Sequence, residues 1–278
     1  MNVLIVARTK MSGTSRCIGG LAQDGTSLRL LTSSGDNHDT SAPFQMGQIW
    51  ELTYVPRSEL IAPHVEDVLV TSMSHVCNVP NLGEYILKRI TPWQGSVDQL
   101  FGGVVEYTGK DSGYVSRRRV PTGSTGFWIP DCDLKLRDDK KHYDYVTRQL
   151  RRGLSYVGEA SPIENILAGT LVRVSLARWW KPRDAESGFE ERCYLQLSGW
   201  YSKRLLANRV HHQAQQLCRH FTLDPSLRLR AGAPDVIRPG STESGTRNLK
   251  RMSGLPSSSK TFRCAMRPAY KQVRASAP

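Results

Sequence analysis

Residues 171–184 read LVRVSLARWWKPRD, an apolar run typical of a buried strand that ends abruptly in cationic and aromatic side chains. The chain opens in a similar way, with NVLIVARTKMSG at residues 2–13. After a loop, each stretch is followed by Arg, Cys and an apolar residue, at 16–18 and at 192–194. Duplication and coincidence explain this echo about equally well, and the pattern agrees with two small β units in tandem.

The first eighty residues show strand patterns separated by turn residues. Apolar or alternating runs predict strands at 2–8, 16–21, 27–32, 48–55 and 64–70. Asp24-Gly25 is a turn signal between the second and third of these runs. Since no long helical period occurs before about residue 80, this part is predicted to be all-β, as a small barrel or sandwich.

The rest of the chain mixes helix and strand patterns. Apolar spacing predicts short helices at 81–90, 96–103, 140–152 and 202–221. Strands are predicted in GYVSRRRV, GFWIP and LKLRD, and most strongly in TLVRVSLARW and ERCYLQLSGWY. From residue 222 onward Pro, Gly, Ser, Arg and Thr dominate, which predicts a disordered C-terminal tail at 222–278.

The positive charge of the chain is concentrated at its C-terminal end. Residues 1–201 carry 23 Lys and Arg against 22 Asp and Glu, whereas residues 202–278 carry 15 against 3. A basic tail binds any polyanion through counterion release, without specificity. The net charge of +13 is therefore no evidence that the folded part binds nucleic acid, and that part is judged on its local patches.

The composition favours a cytoplasmic protein. Its six cysteines are widely scattered and form no C-x-x-C pair, so they are predicted to be reduced. No apolar run approaches the roughly 20 residues of a membrane span, and the N-terminal run is too short for a signal peptide. We expect no membrane partner.

Several segments resemble those of a known family. The segments are ARTKMSG, CIGGL, SLRLLT, GQIWELTYVPR and PHVEDVLV, followed later by GFWIP, LVRVSLARWWKP and CYLQLSGWY. Over roughly residues 1–201 the chain resembles bacterial proteins of the dual OB-containing domain family. The resemblance brings no catalytic residues with it, and the basic tail is not a feature that it explains.

The resemblance implies a mainly β fold with minor α structure. Two tandem OB-like barrels are expected, at about 1–80 and 81–201, with short helices between and after them. It also implies binding of nucleic acid or a nucleotide, often inferred for components of bacterial defence (conflict) systems.

Candidate binding residues lie at the ends of the two echoed strands. OB folds bind single strands on an exposed face and adjoining loops, with cations for phosphates and aromatics for bases. The candidates are Arg8, Lys10 and Arg29 in the first barrel, and Arg178, Trp179, Trp180 and Lys181 in the second. Alternatively, the tryptophans pack in the core and the cations extend to the surface from the strand ends.

Two further basic groups are candidates. Arg117 and Arg119 share one face of a predicted strand near Trp128, and together they could form a hairpin that stacks on bases. A solvated edge strand explains the arginines equally well. On the predicted helix at 140–152, Lys141, Arg148 and Arg152 could bind a phosphate backbone, although such a face is usually only solvated.

The sequence offers little support for catalysis. His64 and Glu66 share a strand face and could act as acid and base, but no nucleophile or metal partner lies at telling spacing. His211, His212, Cys218 and His220 do not match a zinc site, and no phosphate-binding loop occurs. We therefore expect no catalytic residues, no metal and no cofactor.

The favoured function is a noncatalytic module that binds single-stranded DNA, RNA or a nucleotide, with a possible protein partner in a multi-component system. Two alternatives stay open. One is a protein-interaction adaptor that docks a partner enzyme, which the near-neutral charge of residues 1–201 favours. The other, less favoured, is a metal-dependent nuclease that uses His64 and Glu66.

Overall fold

The computed structural model describes residues 1–184 and 188–201, which form sixteen strands, one α-helix and one 3₁₀ helix. The helix predicted at 202–221 and the tail predicted at 222–278 lie outside the described residues. The described residues belong to one compact unit.

Five of the first six strands form a closed barrel. The six strands are β1 (Asn2–Lys10), β2 (Ser15–Ala22), β3 (Ser27–Leu31), the short β4 (His38–Asp39), β5 (Gln48–Pro56) and β6 (Asp67–Asn78), of which β4 pairs only with β2. The hydrogen-bonded ring runs β1-β2-β3-β6-β5 and returns to β1, with only β3 and β6 parallel. This ring is the five-stranded Greek-key barrel of an OB fold. All five strands predicted before residue 80 are present in it.

Strand β1 is buried on both faces, which explains why its sequence is a continuous apolar run. Val3 and Ile5 point into the barrel core. Leu4 and Val6 point the other way, into a second apolar cluster that includes Leu171 of the later sheet. A strand covered on one face only would alternate apolar and polar residues.

The segment between the first barrel and the second sheet contains both helices. It contains α1 (Leu82–Leu87), β7 (Trp93–Gly95), the 3₁₀ helix (Val97–Gly102), β8 (Glu106–Tyr107) and β9 (Gly113–Ser116). The side chain of Asn81 accepts a hydrogen bond from the Glu84 amide and so caps α1. The short helices predicted at 81–90 and 96–103 are thus confirmed, although the second is a 3₁₀ helix.

The later strands repeat the strand order of the first barrel. They are β10 (Thr125–Pro130), β11 (Leu134–Leu136), β12 (His142–Val146), β13 (Arg151–Tyr156), β14 (Asn165–Ile166), β15 (Leu171–Leu176) and β16 (Arg192–Tyr201). The path runs β11-β12-β13-β16-β15-β10, with β13 and β16 parallel. Because residues 131–133 join β10 directly to β11, these two act as one interrupted first strand. The second sheet is therefore also OB-like, as the sequence predicts.

The prediction of a helix at 140–152 is wrong. These residues form the hairpin of β12 and β13, in which Tyr143 pairs with Leu154. Tyr143 and Tyr145 are two residues apart and both are buried in the core of the second barrel. The helical spacing of apolar residues was coincidental, and the alternation typical of a strand determines which side chains are buried.

The strand predicted in GYVSRRRV is shorter than expected. It ends at Ser116, so Arg117 and Arg119 lie in the following turn rather than on one strand face. In the described part, Cys17, Cys132 and Cys193 are free thiols. No helix in the described part is long and apolar enough to cross a membrane.

Gly126 in β10 provides a test of packing in the second barrel. A Cβ atom there would overlap the ring of Trp93, which lies directly over the strand. We expect Gly126→Ala to lower the free energy of unfolding by about 1–3 kcal/mol, the usual cost of overpacking. Urea denaturation of the full chain measures this change.

The matched control is Gly199→Ala in β16, where an added Cβ would have no atom within 4 Å. We expect this variant to unfold like the wild type, or at slightly higher urea, because alanine restricts the unfolded chain. Equal effects of the two substitutions would contradict the packing of Trp93 over Gly126.

Candidate functional site

Three arginines converge on one buried carboxylate at the start of β6. Asp67, whose side chain is 3% exposed, is bound by both ends of the Arg29 guanidinium, at 2.8 Å (Nε–Oδ1) and 2.9 Å (Nη2–Oδ2). Arg178, which follows β15 in the second barrel, donates from Nη2 to Oδ2 at 2.7 Å. Arg57 lies further away, with its Nη1 3.7 Å from Oδ2. The cluster carries two more positive than negative charges.

The register of β3 and β6 produces this cluster. In the parallel pairing of these strands Arg29 lies opposite Asp67. Burial raises the pKa of Asp67, while the guanidinium groups of Arg29 and Arg57 lower it, and burial prevails. The carboxylate is thus held in a costly environment that only its arginine partners make tolerable.

The cluster forms one wall of a cavity of about 430 Å³. The lining residues are Arg29, Leu31, Gly35, Asp36, Asn37, Arg57, Glu59, Ile61, Asp67 and Arg178. They come from β3, from the loop after it, from the loop between β5 and β6, from the start of β6, and from the second barrel. OB folds bind ligands on the face of strands 2 and 3 and in the loops after strands 1 and 4. The cavity shares β3 and the loop after the fourth barrel strand with this position, whereas no residue of β2 or of the loop after β1 lines it.

The charges of the cavity are mixed, and one lining residue has a buried polar atom without a hydrogen-bond partner. Asp36 and Glu59 add two carboxylates to the lining. The Asn37 side-chain oxygen is buried without a hydrogen-bond partner. A buried acceptor of this kind is costly unless a ligand or water satisfies it.

The loop between β5 and β6 joins the cavity to the second barrel. Its Ala62 carbonyl oxygen accepts a hydrogen bond of 2.8 Å from the Trp179 ring nitrogen. Glu66 accepts from both the amide and the hydroxyl of Ser124, at 2.6 and 2.8 Å. These contacts fix the cavity wall with respect to both barrels.

His64 also lies at this junction, where it is buried. Its Nε2 atom lies 3.1 Å from the Ala177 carbonyl oxygen and 3.7 Å from the Cys193 Sγ atom. Burial lowers the pKa of His64 and raises the pKa of Cys193 to about 12. His64 and Glu66 therefore make contacts between the barrels, and the absence of catalysis stays a prediction. Within residues 1–184 and 188–201, no group of three or more His, Cys, Asp or Glu residues could hold a metal ion.

Arg8 has a role that the sequence analysis did not foresee. Its side chain is buried and donates to the carbonyl oxygens of Thr40, Ala42 and Phe44 at 2.6–2.9 Å. Its Nε atom lies 2.5 Å from the Glu159 carboxylate of the second barrel. Arg8 thus anchors a loop and joins the barrels, and it is not among the residues that line the cavity. Lys10, at the end of β1, is exposed.

A second group of predicted residues meets on the second barrel. The Arg117 guanidinium lies 3.8 Å from the ring centre of Trp179 and binds Glu191 at 2.7 Å. Trp180 is 52% exposed, and its ring centre lies 5.9 Å from that of Tyr194. Lys181, the next residue, is also exposed.

The remaining predicted residues lie elsewhere. Trp128 is fully buried and donates from its ring nitrogen to the Gly95 carbonyl oxygen at 2.9 Å. The predicted stacking of Trp128 on a base does not fit this position, because neighbouring strands cover the ring. Arg119 donates to the Gly103 carbonyl oxygen at 3.3 Å, and Arg148 is exposed in the turn between β12 and β13. Arg152 lies over the ring of Tyr107 at 3.9 Å.

Lys141, predicted with Arg148 and Arg152 to lie on one helix face, is exposed just before β12.

Two residues of the arginine–carboxylate cluster, Asp67 and Arg57, are not among the binding residues predicted from the sequence. Their signals in the sequence are weak, since Asp67 is an acidic residue at the start of an apolar strand and Arg57 follows Pro56.

Comparison with known proteins gives one relevant family. The family model described as a dual OB-containing domain matches residues 1–200. The match covers more than half of the chain and includes both barrels. No curated protein matches the chain.

The buried position of His64 predicts a pH dependence of stability. Because its pKa is lower in the folded protein, the unfolded chain binds a proton more readily below about pH 6.5. The free energy of unfolding should then fall between pH 7.5 and 5.5, by at most about 1.4 kcal/mol per pH unit for this group. We expect His64→Gln to reduce this fall in denaturation curves measured across that range.

His75→Gln is the control, because His75 is exposed. Part of the pH dependence should persist in His64→Gln, since burial also lowers the pKa of His38. A fall as steep in His64→Gln as in the wild type would contradict the assignment to His64.

Proposed function

The chain belongs to the dual OB-containing domain family, and from this premise we propose that it is a noncatalytic module that binds single-stranded nucleic acid or a nucleotide. The observation that carries the proposal is the cavity beside β3 and the loop between β5 and β6, which are part of the OB binding position of the first barrel. Its three arginines face a single buried carboxylate. Guanidinium groups suit a ligand that carries phosphate, because they bind its oxygens through paired, charge-assisted hydrogen bonds.

The size and lining of the cavity agree with a nucleotide unit. A volume of about 430 Å³ lies within the range of small-molecule sites, roughly 300–1,000 Å³. Ile61, which is 60% exposed, supplies apolar surface for a base or ribose. Asp36 and Glu59 would repel a second phosphate at the rim.

The arginines differ in how free they are to bind. Arg29 is held on both oxygens of Asp67 and its side chain is only 17% exposed. Arg178 is 40% exposed but makes a close bond to the same carboxylate. Arg57 is 41% exposed and makes the longest contact, at 3.7 Å. A phosphate would therefore bind Arg57 first, with Arg178 beside it.

The wider setting of the proposal rests on the family resemblance. We place the protein in the cytoplasm of a bacterium, as a component of a defence system with a partner protein. Binding would act there through recognition, without bond cleavage. Labelled oligonucleotide that stays intact with added Mg²⁺ would agree with this, and shortening that is lost in His64→Ala would support the nuclease alternative.

One observation favours the adaptor as a second candidate. Leu60, Ile61 and Val65 of the loop between β5 and β6 are 39%, 60% and 43% exposed. A docked partner could cover these apolar side chains, and residues 1–201 are nearly neutral. Capture of a partner that survives nuclease treatment, by a chain that binds no nucleic acid through the cavity, would support this function.

Arg57→Ala tests the proposed site. Its loss should weaken binding of labelled single-stranded oligonucleotide roughly tenfold, because a charge-assisted hydrogen bond is worth about 1.5–3 kcal/mol. It should also reduce the dependence of log K on log salt by about 0.7, the value for one phosphate contact on a single strand. Fluorescence anisotropy across a salt series measures both quantities.

The matched control is Lys88→Ala, which removes one positive charge from the exposed face of α1. It should leave binding unchanged. The affinity of a synthetic peptide of residues 222–278 for the same oligonucleotide measures how much the basic end of the chain contributes to binding. Binding by the full chain that Arg57→Ala and Lys88→Ala alter equally would contradict a specific site at the cavity.

A further inference from the structure

A surface of aromatic and arginine side chains begins next to the cavity, and we call it the Trp180 face. It consists of Tyr114, Arg117, Trp179, Trp180, Arg192 and Tyr194. Two observations place it close to the cavity, one from the chain and one from a hydrogen bond. Arg178 lines the cavity and precedes Trp180 by two residues, so their Cα atoms are at most about 7 Å apart. Trp179 is hydrogen-bonded to Ala62, the neighbour of the cavity residue Ile61.

Trp180 is exposed in a way that packing does not explain. All six tryptophans of the chain lie in its described part, and the other five are buried or half-buried. The indole of Trp180 is 52% exposed, although its backbone is fixed by two hydrogen bonds with Arg192, of 3.0 and 2.9 Å. A large side chain with only two torsions, on a backbone that is already fixed, loses little entropy when a flat ligand stacks on it.

Neighbouring rings extend this surface. The Tyr194 ring centre lies 5.9 Å from that of Trp180 and 6.2 Å from that of Tyr114. Arg192 lies over the Tyr114 ring, with its Cζ atom 4.1 Å from the ring centre. The rings therefore follow one another from the end of the cavity across β16 to β9.

The charges of the Trp180 face are largely balanced. Arg117 is paired with Glu191 at 2.7 Å, and Arg118 lies 3.7 Å from Glu190. Glu106 accepts hydrogen bonds from the Tyr114 hydroxyl at 3.3 Å and from the Ser116 hydroxyl at 2.6 Å. This face thus offers ring surface, whereas the cavity offers three guanidinium groups gathered around one buried carboxylate.

We propose that the ligand is a single-stranded nucleic acid of several nucleotides, with a phosphate at Arg57 and Arg178 and an adjacent base stacked on Trp180. The inference rests on the proposed function and adds to it, because a mononucleotide would fill the cavity and leave Trp180 uncovered. Binding by stacking is insensitive to base identity and contributes no counterion release. The dependence of affinity on oligonucleotide length and on salt concentration therefore separates the contribution of the cavity from that of the Trp180 face.

The experiment uses the full chain with labelled oligothymidylates of two, four, eight and twelve nucleotides, and with unlabelled thymidine monophosphate as competitor. The variants are Trp180→Ala, Trp180→Phe and Arg57→Ala, with Leu87→Ala as an exposed apolar control on α1. Anisotropy gives affinity and salt dependence. Quenching of tryptophan fluorescence on binding, and its loss in Trp180→Phe, reports contact with that ring.

We expect Trp180→Ala to weaken binding of the eight-nucleotide strand by about 5- to 100-fold, the range for loss of one base–aromatic stack. Its salt dependence should stay at the wild-type value, and Trp180→Phe should recover most of the affinity. The affinity for thymidine monophosphate should not change in either variant.

Two results would overturn the inference, and both can be told from failure of the proposed function. If Arg57→Ala weakens binding but Trp180→Ala does not at any length, the cavity binds nucleotides and the Trp180 face has no part. If Trp180→Ala weakens thymidine monophosphate and long strands equally, Trp180 belongs to the cavity site. If neither variant changes binding and the full chain binds no better than the peptide of residues 222–278, the proposed function itself fails.

Discussion

The two-sided burial of β1 constrains the whole described part of the molecule. Val3 and Ile5 must face the core of the first barrel, and Leu4 and Val6 must face the second barrel. A shift of the strand by one residue would exchange the two sets and disrupt both cores. The Tyr201 hydroxyl, which donates to the Val6 carbonyl oxygen at 2.6 Å, ties the last described strand to the first. The mutual position of the barrels follows from this shared strand.

The position of the barrels in turn brings three guanidinium groups onto one buried carboxylate at their junction. Arg29 and Arg57 belong to the first barrel, and Arg178 reaches the same carboxylate from the second. The lining of the cavity holds three guanidinium groups and three carboxylates, of which only Asp67 contacts the arginines directly. A phosphate would give these guanidinium groups a second anionic partner. The Trp180 face, whose charges are balanced, would supply only ring surface.

Local pattern was enough to predict the barrel strands but not the contacts that make the site. Strands were read correctly where apolar residues run or alternate, and wrongly at 140–152, where Tyr143 and Tyr145 are two apart in a strand. Arg178 was identified from its motif. Asp67 was missed because its partners come together only through the register of β3 and β6 and the docking of the barrels. The burial of Trp128 likewise depends on distant strands that the sequence does not show.

Because both barrels line the cavity, the two halves of the gene depend on each other. Arg178 completes a cavity that the first barrel otherwise forms, and the second barrel covers the outer face of β1. A gene fragment encoding one barrel would leave an apolar strand exposed to water and a binding cavity open on one side. The two barrels would therefore have to be inherited together, in agreement with a family model that spans both of them, residues 1–200.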